Sequence, residues 1–564
     1  MSQKNDTSKI SEIILKSLRE YFAENVSGVS LPQNIEISLQ LTKDKQFGDV
    51  TSNIAMQMAS LAKKPPAVIA ESVSVIINRM IEKEGLDGCI GKASAKSGFI
   101  NLWYSDKYYQ NLLVEVHNKK ADFGRGDFGK GTRVNIEFVS ANPTGPLTIA
   151  HGRQAAIGDA LARIMRFVGY DVTCEYYLND YGRQINILGK SVEIRYRNIL
   201  GKDDPMPEDS YKGDYIITMA EEVKKRKGDA LLEQGPGTDK YFREFSVEYM
   251  MEDIRRDLAD FRVSFDVWTS QAGIEDRKEV EKVLKGLEEK GFVFEQEGAK
   301  WFASTRLGDD KDRVVIKSDG SYTYLAPDMA YHSDKYRRGF DRLIDLLGPD
   351  HHGYIKRMKA AVQAMGHDEK SLDILIVQLV TLLRNGELVR MSTRAGEFVS
   401  LRELMDEIGT DVTRFCFLTR RLDSHLDFDI EVAKKESADN PVFYIQYAHA
   451  RICSIGRKVA ELGLSVKLEA PKRFILTHDT EKALMRKLSE FPLAVKISVD
   501  ILEPSKLVTY LNELSADFHA FYDKCKVITD DVELTAARLY LVEGVKIVLA
   551  NGLNLLNISL PEKM

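Results

Sequence analysis

Zinc knuckles and disulfide pairs are missing from this chain. Its five cysteines (Cys89, Cys174, Cys416, Cys453 and Cys525) are odd in number and widely spaced, with no CxxC pair. That excludes a disulfide scaffold and points to a reducing compartment. Long hydrophobic runs are missing too: the longest, near 374–383, falls short of the ~20 residues that cross a bilayer. The first residues (MSQKNDTSKI) lack the apolar core of a signal peptide. Together these absences predict a cytoplasmic protein. There is no internal repeat and no low-complexity tract. A large excess of one charge is also lacking: 79 Lys+Arg stand against 85 Asp+Glu, a net charge of -6. Taken globally, that argues against a nucleic-acid partner, because phosphate-binding surfaces need Lys and Arg.

What is present belongs to an ordinary globular protein. The 564 residues are 44% hydrophobic and 29% charged, enough for three to five domains at ~100–200 residues each. The charge is unevenly spread. Residues 1–118 are neutral, 119–200 carry +4, 201–310 carry -9, 311–440 carry -2 and 441–564 carry +1. The global deficit thus sits in one segment.

The N-terminal stretch reads as a small α+β module ending near residue 118. Ile10, Ile13, Ile14, Leu18 and Phe22 recur at helical spacing, Ala67–Ile81 does the same, and Gly98–Trp103 reads as a strand. A Gly/Lys-rich linker occupies 123–131. Next comes a βαβ unit: strand Val134–Val139, a Pro/Gly loop at 142–146, a helical stripe from Ala155 to Val168 stopped by Gly169, and strand Val172–Leu178. Residues 195–310 are acidic and read as a helical insertion rather than a continuation of the sheet. The sheet pattern resumes at Val314–Ile316, Leu343–Leu347 and Ile374–Val380, with a helix at about Ile355–Met365. From Leu401 onward nearly everything has helical periodicity, with long stretches near 442–462, 481–500, 506–523 and 534–556. The expected fold is multidomain α/β. It combines a parallel-sheet nucleotide-binding domain over 119–400 with an insert at about 195–310, an α+β domain over 1–118, and an all-α bundle over 401–564.

Four short segments carry candidate chemistry. In SANPTGPLTIAHGRQ (140–154) a strand leads through a tight loop to a helix start bearing His151. A helix N-terminus offers free N–H groups and a positive dipole end to phosphate. LGPDHHGY (347–354) has two adjacent histidines, which cannot easily face one tetrahedral ion and have no Cys beside them; a metal site is not expected. LVRMSTRAGEFVS (388–400) places Arg390, Ser392, Thr393 and Arg394 on a loop whose guanidinium forks suit polyphosphate oxygens. YTYLAPDMAYH (322–332) sets Asp328 beside Tyr324, an acidic spot suited to a cationic group.

The order of these segments resembles the class I aminoacyl-tRNA synthetases, with Thr148–His151 in place of HIGH and Arg390–Arg394 in place of KMSKS. The surrounding text resembles the arginyl-tRNA synthetase family over nearly the whole chain. It does so in EFVSANPTGP (137–146), EYYLNDYGRQI (175–185), DMAYHSDKYRRGFDRLID (328–345), LGPDHHGYIKRMKAAVQAMG (347–366) and SHLDFDIEVAKKESADNPVFYIQYAHARI (424–452). FGDVTSNIAM (47–56) and GFINL (98–102) resemble its N-terminal tRNA-contacting module, and 541–564 its anticodon-binding end.

The resemblance implies a Rossmann-type catalytic domain that activates L-arginine with ATP and Mg²⁺ and charges tRNA(Arg), working as a monomer. It also implies site roles. Glu137, Ser140, Asn142, Tyr324 and Asp328 are the arginine-binding candidates. His151, Gly152, His351, Met391 and Ser392 are the ATP-binding candidates. His151, Thr148, Arg390 and Arg394 are the catalytic candidates. This chain departs from the family pattern at Thr148, at Ala150 and at the second lysine of KMSKS, which it lacks. The cation facing pyrophosphate stays open between Arg390, preferred, and Arg394. The altered signatures leave room for a tRNA-binding relative without catalysis. The acidic pocket and the lack of zinc knuckles count against a synthetase for another amino acid. Aromatics of the last helices (Tyr444, Tyr447, Phe518, Tyr522) are candidates for stacking on anticodon bases, although Phe518 and Tyr522 also share a core stripe.

Overall fold

The computed structural model describes residues 2–564 apart from 27–28, 30, 33–34, 36, 43, 85–87, 234–235, 390–398, 436, 438–439, 464–468 and 471–474. At the N-terminus, helices Ser2–Asn25, Ile54–Ala62 and Pro66–Glu84 accompany a four-stranded antiparallel sheet (Gln40–Leu41, Val50–Ser52, Phe99–Tyr104, Ile90–Lys96). Ile14, Leu18, Ile69, Val73 and Ile100 form its own core.

The catalytic sheet has five parallel strands: β1 (Arg133–Glu137), β2 (Asp171–Leu178), β3 (Val267–Ser270), β4 (Arg342–Leu347) and β5 (Leu372–Ile376). Their spatial order is β5-β4-β1-β2-β3. Helix α1 (Ile149–Phe167) comes after β1, and helix α2 (Leu325–Arg337) precedes β4. Strands covered on both faces read as near-continuous buried runs, and β1 does so from Val134 to Glu137. The α1 stripe Ala155, Ala156, Ala160, Leu161, Ile164, Met165 and Val168 is wholly buried. Gly169 turns the chain with φ +92°, a left-handed conformation that suits glycine.

Several expectations need correction. The acidic segment is mostly helical, with Arg183–Ile199, Asp214–Lys227 and Pro236–Asp260 around a separate core of Leu188, Val192, Tyr196, Met219 and Phe242. Val267–Ser270 nevertheless rejoins the parallel sheet as edge strand β3, pairing Glu175 with Val267. Four partly exposed residues are too few to show a period. Arg313–Ile316 is not in the parallel sheet; it pairs antiparallel with Ala299–Phe302, which pairs with Val293–Gln296. The run at 374–380 is split. β5 ends at Ile376, and Val380–Arg384 opens a second sheet with Glu387–Leu388 and Leu426–Asp429. Residues 401–433 are therefore not purely helical.

The long C-terminal helices are Pro441–Glu461, Asp479–Asp500, Ser505–Lys524 and Val532–Leu555. Their apolar faces share one continuous core with α1 and the catalytic sheet. Arg414 stitches the parts together. It is fully buried and donates to the Phe261 carbonyl at 2.8 Å, to Asp159 of α1 at 2.5 Å and to the Leu556 carbonyl at 3.3 Å. Breaking a buried pair strands the remaining charge. Arg414→Ala should lower stability by about 3–5 kcal/mol, measured as the shift of the urea midpoint. Pairing it with Asp159→Asn should recover part of that loss.

Candidate active site

The chain leaves β1 and β4 toward opposite faces of the sheet, so a crevice opens at their carboxyl ends, where ligands bind in such folds. Immediately after β1, Val139 (φ 69°) and Ser140 (φ 37°) both lie in the left-handed region. For a β-branched residue that conformation is strained, at ~1–3 kcal/mol, and it persists only where the surroundings impose it. Here they do. Phe138 is buried against Gly158, which has no room for a Cβ. Ser140 Oγ donates to Glu137 at 2.9 Å and accepts the Tyr177 N–H at 3.1 Å. Tyr176 donates to the Ala141 carbonyl at 2.8 Å, Asn142 donates to Gln184 at 2.8 Å, and Tyr215 donates to the Thr144 carbonyl at 2.8 Å. The loop before α1 is thus held from β2 and from the inserted helices.

Thr148 is the N-cap of α1. Its backbone N–H donates to His151 Nδ1 at 3.2 Å, and its hydroxyl lies 3.2 Å from the same nitrogen. Nδ1 therefore accepts, and the ring proton sits on Nε2, free to donate toward a ligand at the helix start. Burial holds the His151 pKa down at about 4, so the ring is neutral at pH 7. Residues 147–148 also meet the chain at 400–401: the Leu401 N–H donates to the Leu147 carbonyl at 2.7 Å, and Thr148 bridges Ser400. Arg390, Met391, Ser392 and Arg394 lie outside the described residues. Gly152 is buried, and a Cβ there would come within 2.6 Å of Leu401 and 2.9 Å of Phe417. Its missing side chain thus lets α1 pack closely on the helices that carry Leu401 and Phe417.

His351 is exposed on the short turn Pro349–His351 after β4, 3.5 Å from Asp350. Tyr324 stands at the start of α2 with 85% of its surface exposed. Asp328 is one turn further in. Burial and the nearby Glu137 push its carboxyl up to about 6, against the pull of a Tyr354 hydrogen bond and of His332 and His351. Among the described residues no Lys or Arg pairs with it.

Sequence reasoning missed the group packed beneath Asp328. Lys335, wholly buried, donates to Glu137 at 2.6 Å and to Asp345 of β4 at 2.9 Å. These carboxylates hold its ammonium well above the usual lysine range, and Lys335 in turn holds Asp345 well below the carboxylate range, both against the cost of burial. Glu175 of β2 accepts from Asn135 at 2.6 Å and from Arg338 at 2.7 Å. His332 bridges the Asp328 carbonyl and Asp345. The available signal was the spacing of His332, Lys335 and Arg338 along one helix face below Asp328.

A parallel sheet in 3-2-1-4-5 order with a phosphate-ready helix start after β1 is the framework of a class I tRNA synthetase catalytic domain. The family model for "tRNA synthetases class I (R), catalytic domain" matches residues 113–415. Those for the "Arginyl tRNA synthetase N terminal domain" and the "DALR anticodon binding domain" match 9–103 and 445–564. The chain is 44% identical to arginine–tRNA ligase 1 of Halalkalibacterium halodurans over 98% of this chain and 99% of that one. It is 44% identical to the arginine–tRNA ligase of Geobacillus kaustophilus over 94% of each. A crystal structure of an arginyl-tRNA synthetase from Campylobacter jejuni superposes with a TM-score of 0.75 at 35% identity, covering 82% of this chain and 100% of that chain. The chain belongs to the arginyl-tRNA synthetase family.

The neutral His151 yields a direct expectation. Its ring should titrate near pH 4 in histidine NMR spectra. A midpoint near 6.5, the unperturbed value, would contradict the buried Nδ1 acceptor.

Proposed function

We propose a division of labour between the two sides of the crevice in this arginine–tRNA ligase. The enzyme activates L-arginine with ATP and transfers it to tRNA. The single observation that carries the arginine reading is Asp328, a buried carboxyl with no Lys or Arg paired to it among the described residues. A planar guanidinium would pair with it through charge-assisted hydrogen bonds. Tyr324, one turn before Asp328, and Glu137, Ser140 and Asn142, at and after the end of β1, are the other proposed arginine contacts. The arginine carboxylate then meets the α-phosphate in line, and pyrophosphate departs. Nothing here needs a side-chain nucleophile; positioning and charge stabilisation do the work.

On the ATP side, the α1 N-terminus and His151 Nε2–H face the phosphates, with Thr148 orienting His151 and His351 on the opposite lip. Gly152 contributes by close packing of α1. The described residues hold no group of three or more His, Cys, Asp or Glu placed to bind a metal. Mg²⁺ is proposed to arrive with ATP as MgATP, since Mg²⁺ is usually bound through substrate phosphates. Arg390, with Met391, Ser392 and Arg394 on the same loop, is assigned to the pyrophosphate.

The tRNA(Arg) reading draws on the far end of the molecule. A cleft of about 820 Å³ in the C-terminal helices is lined by Tyr447, Arg451, Lys458, Tyr522, Lys526 and Lys563, among others. Arg451 lies 4.5 Å from the rings of both Tyr447 and Tyr522. Bases stack on such surfaces and phosphates pair with the surrounding cations. Tyr522 is 39% exposed, whereas Phe518 is buried in the core. No helix among the described residues is long and apolar enough to cross a membrane. We assign the enzyme to the cytoplasm as a monomer, which size-exclusion chromatography with light scattering checks.

Charging of tRNA(Arg) with each amino acid in turn tests the whole reading: arginine alone should be esterified, and a tRNA bound but never charged would overturn it. Asp328→Ala should raise the KM for arginine about 100-fold, about 2.7 kcal/mol, and an unchanged KM would remove Asp328 from the pocket. Arg390→Ala should lower the activation rate about 100-fold with little change in arginine affinity. If Arg394→Ala does so instead, the pyrophosphate contact belongs to Arg394.

A further inference from the structure

Four side chains lie along one face of α2 and its C-cap: Asp328, His332, Lys335 and Arg338. They cover Glu137, Asp345 and Glu175, which three adjacent strands present upward. His332 is nearly inaccessible, at 3% exposure. Its Nδ1 lies 2.8 Å from the Asp328 backbone carbonyl, and its Nε2 lies 2.8 Å from Asp345 Oδ2.

Both partners are acceptors. A carbonyl oxygen has no proton to give, and an ionised carboxylate has none either. A neutral imidazole carries one N–H and would leave one of these short contacts without a proton. A proton on Asp345 would resolve this, but the other oxygen of Asp345 accepts from the Lys335 ammonium at 2.9 Å, which keeps it ionised. The groups facing His332 are Asp328, Tyr331 and Lys335 from its own helix and Asp345 from β4. Burial and Lys335 disfavour a second ring proton, while Asp345 and the Asp328 carbonyl favour it and prevail. In the layer as a whole, Glu137, Glu175, Asp345 and Asp328 outnumber His332, Lys335 and Arg338. Asp334, which also touches Arg338, has Arg337 at 2.5 Å. The missing positive charge belongs at Asp328.

We propose that His332 is a doubly protonated positioning residue of the arginine pocket. Its imidazolium clamps the first turn of α2 to β4 and fixes Asp328, the carboxylate of this layer that no Lys or Arg among the described residues pairs with, toward the guanidinium. This rests on the reading of Asp328 as the guanidinium partner.

Long-range ¹H–¹⁵N spectra of the ¹⁵N-histidine-labelled protein test the charge directly. The peaks that disappear in His332→Gln should show two protonated ring nitrogens at pH 7. A neutral-tautomer pattern, or a midpoint near the ordinary value of about 6.5, would overturn the proposal whatever the enzyme's activity. Kinetics test the positioning. In His332→Gln the KM for arginine should rise at least ~10-fold more than the KM for ATP. Equal effects on both substrates would reduce His332 to a structural role and overturn it. Should that variant not fold, the wild-type spectra, assigned through the Asp345 contact, still decide. An unchanged arginine KM in Asp328→Ala would instead remove the pocket reading while leaving the imidazolium itself standing.

Discussion

Everything at the site hangs on one buried ammonium. Lys335 bonds Glu137 at the end of β1 and Asp345 in β4, the two strands whose connections part at the crevice. Three charges taken out of water are costly, and such a group is stable only when each is hydrogen-bonded as well as paired. That condition is met: Ser140 donates to Glu137, and His332 meets Asp345. Remove the lysine and two carboxylates would face each other across the centre of the sheet. With it in place, Glu137 holds Ser140, and Ser140 holds the strained turn that starts the loop toward α1. The lysine also spends its charge on Glu137 and Asp345, so Asp328 is left unpaired.

The two sides of the crevice are therefore prepared differently. On the α2 side lies the buried Asp328 carboxyl, which no Lys or Arg among the described residues pairs with. On the α1 side there are neutral or weakly polar donors: the helix start, and His151 kept uncharged by burial. A permanent cation there would hold pyrophosphate after the reaction as firmly as ATP before it, whereas donors and a loop cation can favour the moment of charge development. Leu401 and Ser400, at the start of the following helix, are tied to Leu147 and Thr148 and so share the frame of α1.

Local periodicity was enough for much of the fold. The α1 stripe, β2, β4 and the four long C-terminal helices lie within a few residues of their expected spans because each is long and patterned. β3 was not legible, since four half-buried residues inside an acidic stretch carry no period. Arg313–Ile316 looked like a strand of the main sheet because an apolar triplet does not say which partner it takes. The residues of the proposed site that sequence could point to lie in compact motifs, Ser140–His151 and Tyr324–Asp328. Lys335 was not among them, because a lone lysine in a helix reads as solvated and its partner Glu137 is 198 residues away. The overall charge of -6 misled for a similar reason: it sums an acidic insert with a basic cleft that lies elsewhere in the molecule.

The central claim is that Asp328 is the one anion of this layer left for the substrate. Calorimetry of L-arginine binding in buffers of different ionisation enthalpy tests it without any mutation. With the Asp328 carboxyl poised at about 6, pairing with a guanidinium should expel about half a proton per arginine at pH 6 and almost none at pH 8. Arginine that binds at pH 6 with no proton release would mean that its guanidinium rests elsewhere.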